Sequence, residues 1–406
     1  MAEHKMRDNT GEWFGSIPAD WTILALKYAF SIKKDIAGKL GYTVLSVTQK
    51  GIKPKDMLEK GQFAMDYSKY QVVNRGEFIM NHMDLLTGWV DIAQESGVTS
   101  PDYRVFYNTD PTRFFSEYYK YIFQFCYSNR VFYGMGQGVA GFGRWRLPSD
   151  MFLRFLLPVP QIDEQKAIAT YLDEQCTLID EAIAEAKASI AEYNSWKQSI
   201  IFEAVTKGIN PNVEMKESRI DWIGCMPSHW NVLPLKYLCT MQAGKNLTSE
   251  QICETGQFPV YGGNGIRGYY SQSNYCGDYL LVGRQGALCG NVHKVTGNFW
   301  ATEHAVVTQN TERITLEFLF YLLLGMKLNQ YASNSAAQPG LSVGTIQNLI
   351  AAIPPIDEQR KIASYLEEKS HSIDKVIDEK QSLIGDLESY KRSLIYEAVT
   401  GKRKVE

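Results

Sequence analysis

The sequence predicts an α+β protein: two mixed α/β globular lobes separated by two long helices, which pair as an antiparallel coiled coil within a pseudo-twofold internal repeat. Three observations predict it. One long stretch occurs twice, both copies carry an apolar seam at coiled-coil spacing, and the segments preceding them align in order although they have diverged.

The first copy opens on Pro160-Gln161-Ile162-Asp163-Glu164-Gln165 and runs to Glu203-Ala204-Val205-Thr206. The second opens on Pro354-Pro355-Ile356-Asp357-Glu358-Gln359 and runs to Glu397-Ala398-Val399-Thr400, aligned without a gap at an offset of 194. An ungapped match of this length marks an internal repeat. Leu172, Ile179, Ile183, Ile190 and Ile200 lie on one seam; Leu366, Ile373, Ile377, Ile384, Leu387 and Leu394 lie on the other. Apolar residues spaced alternately by four and three mark helices that wind around a partner, and the nearest partner is the other copy. Prolines stand only before each start, where a missing N–H costs nothing, and Gly208 and Gly401 stand near the stops. Each helix would be roughly 65–70 Å long. Lys197 and Lys391 interrupt the seam at one repeat position. A lysine there either fixes register or snorkels out where the helices splay.

Trp13-Phe14-Gly15-Ser16-Ile17-Pro18-Ala19-Asp20-Trp21 and Trp222-Ile223-Gly224-Cys225-Met226-Pro227-Ser228-His229-Trp230 share W-x-G-x-x-P-x-x-W at an offset of 209. Leu26-Lys27-Tyr28 matches Leu235-Lys236-Tyr237 at the same offset. Gly76-Glu77-Phe78 pairs with Gly277-Asp278-Tyr279, and Glu117-Tyr118 with Glu317-Phe318, as the offset falls toward 194. The expected organisation is a lobe over 1–156, a helical region over 157–208, a second lobe over 209–352 and a second helical region over 353–406. Phe78-Ile79-Met80, Val131-Phe132-Tyr133, Tyr279-Leu280-Leu281-Val282 and Ala305-Val306-Val307 read as strands. Thr112–Cys126 and Thr315–Leu328 read as helices. The Asn264-Gly265 pair signals a hairpin.

Composition is that of an ordinary soluble protein, with 45% hydrophobic and 21% charged residues. No signal-peptide pattern is present, and the longest apolar run, Phe318 to Met326, is too short to span a bilayer, so no membrane partner is expected. The seven cysteines show neither C-x-x-C nor metal-ligand spacing, which points to a reduced cytoplasm and no metal. Net charge is −3, but unevenly placed: −5 over 163–208, −2 over 357–402, and hence +4 elsewhere. Mildly basic lobes permit contact with nucleic acid without demanding it.

Catalytic chemistry is hard to find. Gly136-Gln137-Gly138-Val139-Ala140-Gly141 fits G-x-G-x-x-G, yet Pro148 follows and no α/β unit surrounds it, so a glycine-rich loop is the better reading. There is no phosphate-binding G-x-x-x-x-G-K-[ST] loop and no Asn-Pro-Pro-Tyr or Asp-Pro-Pro-Tyr segment of an amino-methyltransferase. His82 and His304 read as loop or structural residues. No catalytic residue and no cofactor is expected. Binding chemistry remains. The first lobe offers Tyr67, Lys69, Tyr70, Asn81, Arg104, Arg144 and Arg146. The second offers Lys245, Asn264, Arg267, Tyr269, Arg284, Gln285, Lys294 and Gln338. Arg, Asn and Gln form paired hydrogen bonds to purine edges, and Lys and Tyr hold phosphates. Singly, an exposed Arg or Lys is usually just solvated; grouped in glycine-containing loops, these residues suggest a DNA-reading surface.

These motifs resemble the specificity (S) subunit of type I restriction–modification systems. The P-x-x-[DE]-E-Q-x-x-I-x-x-Y-L opening of each helix resembles that family's helical regions, and W-x-G-x-x-P-x-x-W its lobe starts. Tyr67-Ser68-Lys69-Tyr70, Asn81-His82-Met83, Gly97-Val98-Thr99-Ser100-Pro101-Asp102-Tyr103, Val260-Tyr261-Gly262-Gly263-Asn264-Gly265 and Gln338-Pro339-Gly340-Leu341-Ser342 resemble segments of its target-recognition domains. The resemblance implies a non-catalytic subunit that binds double-stranded DNA. Each lobe would read one half of a bipartite asymmetric site and the helix pair would set the spacing. Two methyltransferase (M) subunits would dock on it, bringing S-adenosylmethionine and methylating adenine, and restriction (R) subunits would add ATP-dependent cleavage. The competing reading is a coiled-coil scaffold whose lobes bind proteins and no DNA.

Overall fold

A computed structural model of the chain describes residues 6–8, 12–55, 66–138, 145–286, 288–333 and 340–405. The chain divides into two compact units: Met1–Glu185 with Ser382–Glu406, and Ala186–Gln381. The two long helices, Ile162–Lys207 and Ile356–Val399, each contribute to both.

The first unit is built on a four-stranded antiparallel sheet in the order Phe30–Lys33, Arg104–Asn108, Phe78–Met80, Val90–Ile92. Helix Ser116–Ser128 covers it with Tyr118, Tyr119, Ile122 and Phe123, all fully buried. Phe78 and Phe106 stack at 4.8 Å, and Phe30 and Phe123 meet them edge-on. Val131-Phe132-Tyr133 was expected as a strand and is a short helix, Val131–Gly134. Arg130, at φ 58°, breaks the preceding helix and redirects the chain. Phe132 then buries against Tyr127, Phe152 and Phe155, and that packing overrides the β-preference of its neighbours.

The second unit holds a six-stranded sheet in the order Cys239–Ala243, Ala305–Asn310, Tyr275–Gly283, Val292–Ala301, Phe258–Gly262, Gly265–Tyr270. All pairings are antiparallel except that of Phe258–Gly262 with Val292–Ala301. Helix Leu316–Gly325 packs against it and is capped by the Thr315 hydroxyl, which accepts from the Phe318 N–H at 3.2 Å. The helix stops sooner than its apolar run suggests, because Lys327 is left-handed at φ 48°. The expected hairpin is present, with Gly263-Asn264 as its two-residue loop.

One set of contacts recurs in both units and ties each lobe to the helices. In the first, strand Thr22–Ala25 pairs with Leu156–Val159, just ahead of the helix start; in the second, Asn231–Pro234 pairs with Ile350–Ile353. The Trp13 indole donates to the Leu156 carbonyl and the Trp222 indole to that of Ile350, both at 2.9 Å. Trp21 donates to Glu164, and Trp230 to Glu358, both at 3.1 Å. Gln165 is fully buried: its amide donates to the carbonyls of Arg113 (3.0 Å) and Pro160 (2.9 Å), and its oxygen accepts from the Phe115 N–H (2.8 Å). Gln359, equally buried, repeats this with Arg313 and Pro354 (both 3.0 Å) and Thr315 (2.9 Å).

The far end of the opposite helix meets the same tryptophan. Gly401, at φ +67°, lies so close to Pro18 and Trp21 that a Cβ would fall 2.4 Å from the proline ring. Gly208, at φ +76°, faces Trp230 less tightly, with a Cβ there 3.3 Å from the indole ring. In each unit the start of one helix therefore packs with the end of the other. In the first, Leu172, Ile179, Ile183 and Leu394 share the core, with Ile384 and Leu387 against it. In the second, Ile201, Val205 and Leu366 share the core, with Ile200 against it; Ile373 and Ile377 are buried and Ile190 is half-buried. The two seam lysines cross between helices: Lys391 reaches Asp180 and Lys197 reaches Asp374, each with a closest approach of 2.6 Å. Among the described residues no helix is long and apolar enough to cross a membrane.

Replacing Gln165 with Leu leaves one N–H and two carbonyls of the first unit without that partner, and Gln359→Leu does the same in the second. Orphaned buried groups cost roughly 1–3 kcal/mol each, so each variant should lower stability by about 3 kcal/mol or more. Hydrogen exchange should localise the loss to the unit carrying the change. Protection lost equally in both units would contradict this.

Candidate functional site

Loops outside these junctions carry most of the remaining polar groups of each unit. In the first unit, Tyr67, Lys69 and Tyr70 lie on the segment before strand Gln71–Val73. The Tyr67 hydroxyl accepts from the Gly41 N–H at 3.2 Å, its ring meets that of Tyr70 edge-on at 6.2 Å, and Lys69 is exposed. The Gln71 amide holds the next turn by donating to the carbonyls of Ser100, Pro101 and Tyr103. Burial, with Asp84 and Tyr70 nearby, pushes the Tyr103 hydroxyl pKa up.

Asn81, His82, Arg104 and Arg146 form a second group in that unit. The Asn81 carbonyl accepts from the Tyr127 hydroxyl at 2.6 Å, and its side-chain oxygen from the Met83 N–H at 3.3 Å. Arg146 is exposed, its backbone paired with Gln137. Arg104 differs: it is 4% exposed, lies over Phe152, and donates to the Leu147 carbonyl at 2.7 Å and to Ser149. A guanidinium so enclosed braces the lobe from within and is turned away from any ligand. His82 sits between the two arginines, and its Nδ1 is buried with no partner among the described residues. Burial, then the charges of Arg104 and Arg146, pull its pKa down to about 4. Arg144 and the end of the Gly136–Gly141 motif lie outside the described residues.

The second unit gathers its candidates more tightly. The Gly263-Asn264 turn, the loop after strand Tyr275–Gly283, and the turn at Thr302–His304 converge. Gly263 and Gly283 permit this, because a Cβ on Gly283 would stand 2.2 Å from the Gly263 carbonyl oxygen. Asn264 accepts from Asn291 at 2.9 Å. Gln285 meets His304 Nδ1 at 2.9 Å, and His304 Nε2 lies 3.2 Å from Glu303. Arg284 stitches the loops together, donating to the Glu303 carbonyl at 3.3 Å and lying 3.5 Å from that of Leu341. His293 Nε2 is buried without a partner among the described residues, and burial lowers its pKa.

Arg267 and Asn264 are exposed on this hairpin, and Tyr269 pairs through its backbone with Cys253. Lys245 is exposed and tied by its backbone to Ala301 and the Trp300 indole, next to the Thr302 turn. Lys294 stands apart: it lies 3.7 Å from Glu367 of the second long helix and 4.7 Å from the Phe320 ring centre. Gln338 lies outside the described residues. Asn291, His293 and His304 were missed as members of the cluster. Only the glycine-rich Tyr261–Gly265 segment signalled that several loops meet there.

Residues 227–381 match the family model of the type I restriction modification DNA specificity domain. The chain is 33% identical over 263 residues to the EcoprrI type I restriction enzyme specificity subunit of Escherichia coli, covering 61% of this chain and 60% of that one. The chain is thus similar to the specificity subunits of type I restriction–modification systems. A second relative, the MjaVIII type I restriction enzyme specificity subunit of Methanocaldococcus jannaschii, is 26% identical over 291 residues, covering 65% of this chain and 66% of its own. The matched stretches thus span less than two thirds of either relative's length. A solved chain from a type I R-M system, described for its complex assembly and conformational transition, shares the fold with a TM-score of 0.72. It is 13% identical, and the match covers 95% of this chain and 99% of that one. The matched stretch, residues 227–381, takes in the converging loops of the second unit.

His82 gives a pH signature. The unfolded chain protonates this residue near pH 6.5, whereas the folded lobe resists until about 4. Stability is therefore full above the upper value and falls as pH drops through that window. His82→Gln should flatten the fall in urea midpoint between pH 7 and pH 5. An unchanged pH slope would refute the lowered His82 pKa.

Proposed function

We propose that this chain is the non-catalytic DNA-specificity subunit of a type I restriction–modification complex. Residues 1–156 and 209–352 act as target-recognition domains, each reading one half of a bipartite asymmetric site in double-stranded DNA. The helical regions 157–208 and 353–406 pair as an antiparallel coiled coil with pseudo-twofold symmetry and set the spacing of the half-sites. The chain binds no cofactor itself. Two M subunits dock on it and methylate adenine, and R subunits join them in the full complex to supply ATP-dependent cleavage.

One observation carries this reading: identical junctions, Trp21–Glu164 with Gln165 and Trp230–Glu358 with Gln359, bear unlike loop clusters. A shared mount with different heads is what two readers of different half-sites require. Asn264, Arg267, Gln285 and Lys245 in one unit, and Lys69, Asn81 and Arg146 in the other, are the candidates for base and phosphate contacts. Trp196 and Tyr390, 54% and 47% exposed, occupy one repeat position on the two helices and suit a partner that binds twice.

The test inserts one heptad into both helices at equivalent positions. Seven residues add about 10.5 Å, or about three base pairs of B-DNA. Sites selected by the lengthened complex should keep both half-sites and gain roughly that many base pairs between them. If the bases read change instead, or no DNA is retained and only proteins bind, the scaffold reading replaces this one.

A further inference from the structure

Two exposed Lys–Tyr pairs do no evident work for the fold. Leu26–Tyr28 and Leu235–Tyr237 are single 3₁₀ turns that the repeat preserves through lobes otherwise divergent. Leu26 and Leu235 are fully buried, and their N–H groups donate to the carbonyls of Phe155 (2.8 Å) and Leu349 (2.9 Å). The leucine and its hydrogen bond explain why the turn exists. They do not explain Tyr28 and Tyr237, which are 61% and 53% exposed and join neither core. Above each ring stands its neighbour's ammonium: Lys27 at 5.0 Å from the Tyr28 ring centre, Lys236 at 5.4 Å from that of Tyr237. Neither lysine forms an ion pair among the described residues; Lys236 lies 3.4 Å from the Asn348 amide oxygen.

We infer that Lys27–Tyr28 and Lys236–Tyr237 are a matched pair of phosphodiester-binding points, one in each unit, that grip DNA regardless of sequence. The inference rests on the DNA-reading function proposed above. Groups that read bases must differ between lobes with different targets. A group kept in both lobes must face something both half-sites share, and every half-site shares its sugar–phosphate backbone. The chemistry fits. An ammonium supplies a point charge and a phenol an O–H donor, side by side on a turn held by a buried leucine, and little side-chain freedom is left to lose on binding. The cation over the ring also restrains the lysine against its tyrosine neighbour.

The experiment uses the full chain copurified with its M subunits. Dissociation constants are measured for a duplex selected from a random pool and for a scrambled duplex, between 50 and 200 mM KCl. Each lysine–phosphate contact contributes about 0.9 to the slope of log affinity against log salt. Lys27→Ala with Lys236→Ala should therefore cut the slope by about 1.8, so that a fourfold rise in salt costs about twelvefold less affinity than in the parent. Both duplexes should weaken by the same factor, leaving their ratio unchanged. Lys27→Arg with Lys236→Arg should restore the slope, and Tyr28→Phe with Tyr237→Phe should weaken binding without altering it. An unchanged slope, loss confined to the selected duplex, or loss of the M subunits with DNA affinity intact would each overturn the inference. If the parent complex binds neither duplex, the DNA-reading function fails as well, which separates the two results.

Discussion

Everything in each unit hangs from a buried glutamine and a tryptophan set where a lobe meets the helices. Gln165 and Gln359 use both their amide hydrogens and their carbonyl oxygen, so no polar atom of either side chain is left without a partner. Trp21 and Trp230 do a second job at the same place. Each donates to a glutamate at the start of one helix while its ring lies against the terminal glycine of the other. A side chain bound to two helices and one lobe removes the freedom of that lobe to tilt. Loop clusters borne on such a mount can differ widely without disturbing it.

This arrangement explains where the two repeats agree and where they part. Identity is concentrated at the joint and along the helix seam, where burial punishes change. The seam lysines belong to this agreement. Of the two roles open to them, register fits better than snorkelling, since Lys391 and Lys197 each reach an aspartate of the opposite helix at equivalent repeat positions. Divergence is concentrated in the loops, where close backbone approach at Gly263 and Gly283 gathers polar side chains in one unit and a His82–Arg146 group takes a different form in the other. The exposed Lys and Tyr side chains of the two 3₁₀ turns are the exception, alike in the two units yet outside either core.

Much of this was legible before any coordinates. The long helices announced themselves because a period near 3.5 kept over forty residues admits few other structures, and an ungapped repeat doubled the signal. The tryptophans of W-x-G-x-x-P-x-x-W were visible as a motif, but their hydrogen bonds to Glu164 and Glu358 span well over a hundred residues, and local pattern carries no such information. Val131–Gly134 was misread because aromatic and branched residues favour strands until a buried partner such as Phe152 decides otherwise. Site residues were the least legible. Arg104 and Arg146 look alike as letters, yet one is buried over the Phe152 ring and the other faces solvent. Lys294, which looked like a phosphate ligand, faces the helix through Glu367 and Phe320.

The account stands or falls on whether two unlike heads read one interrupted sequence. Selection of bound duplexes from a random pool by the complex of this chain with its M subunits tests it most directly. The account predicts two short, different sequence blocks at a constant separation, with the bases between them unconstrained. A single uninterrupted motif, two identical blocks, or no enrichment at all would contradict it.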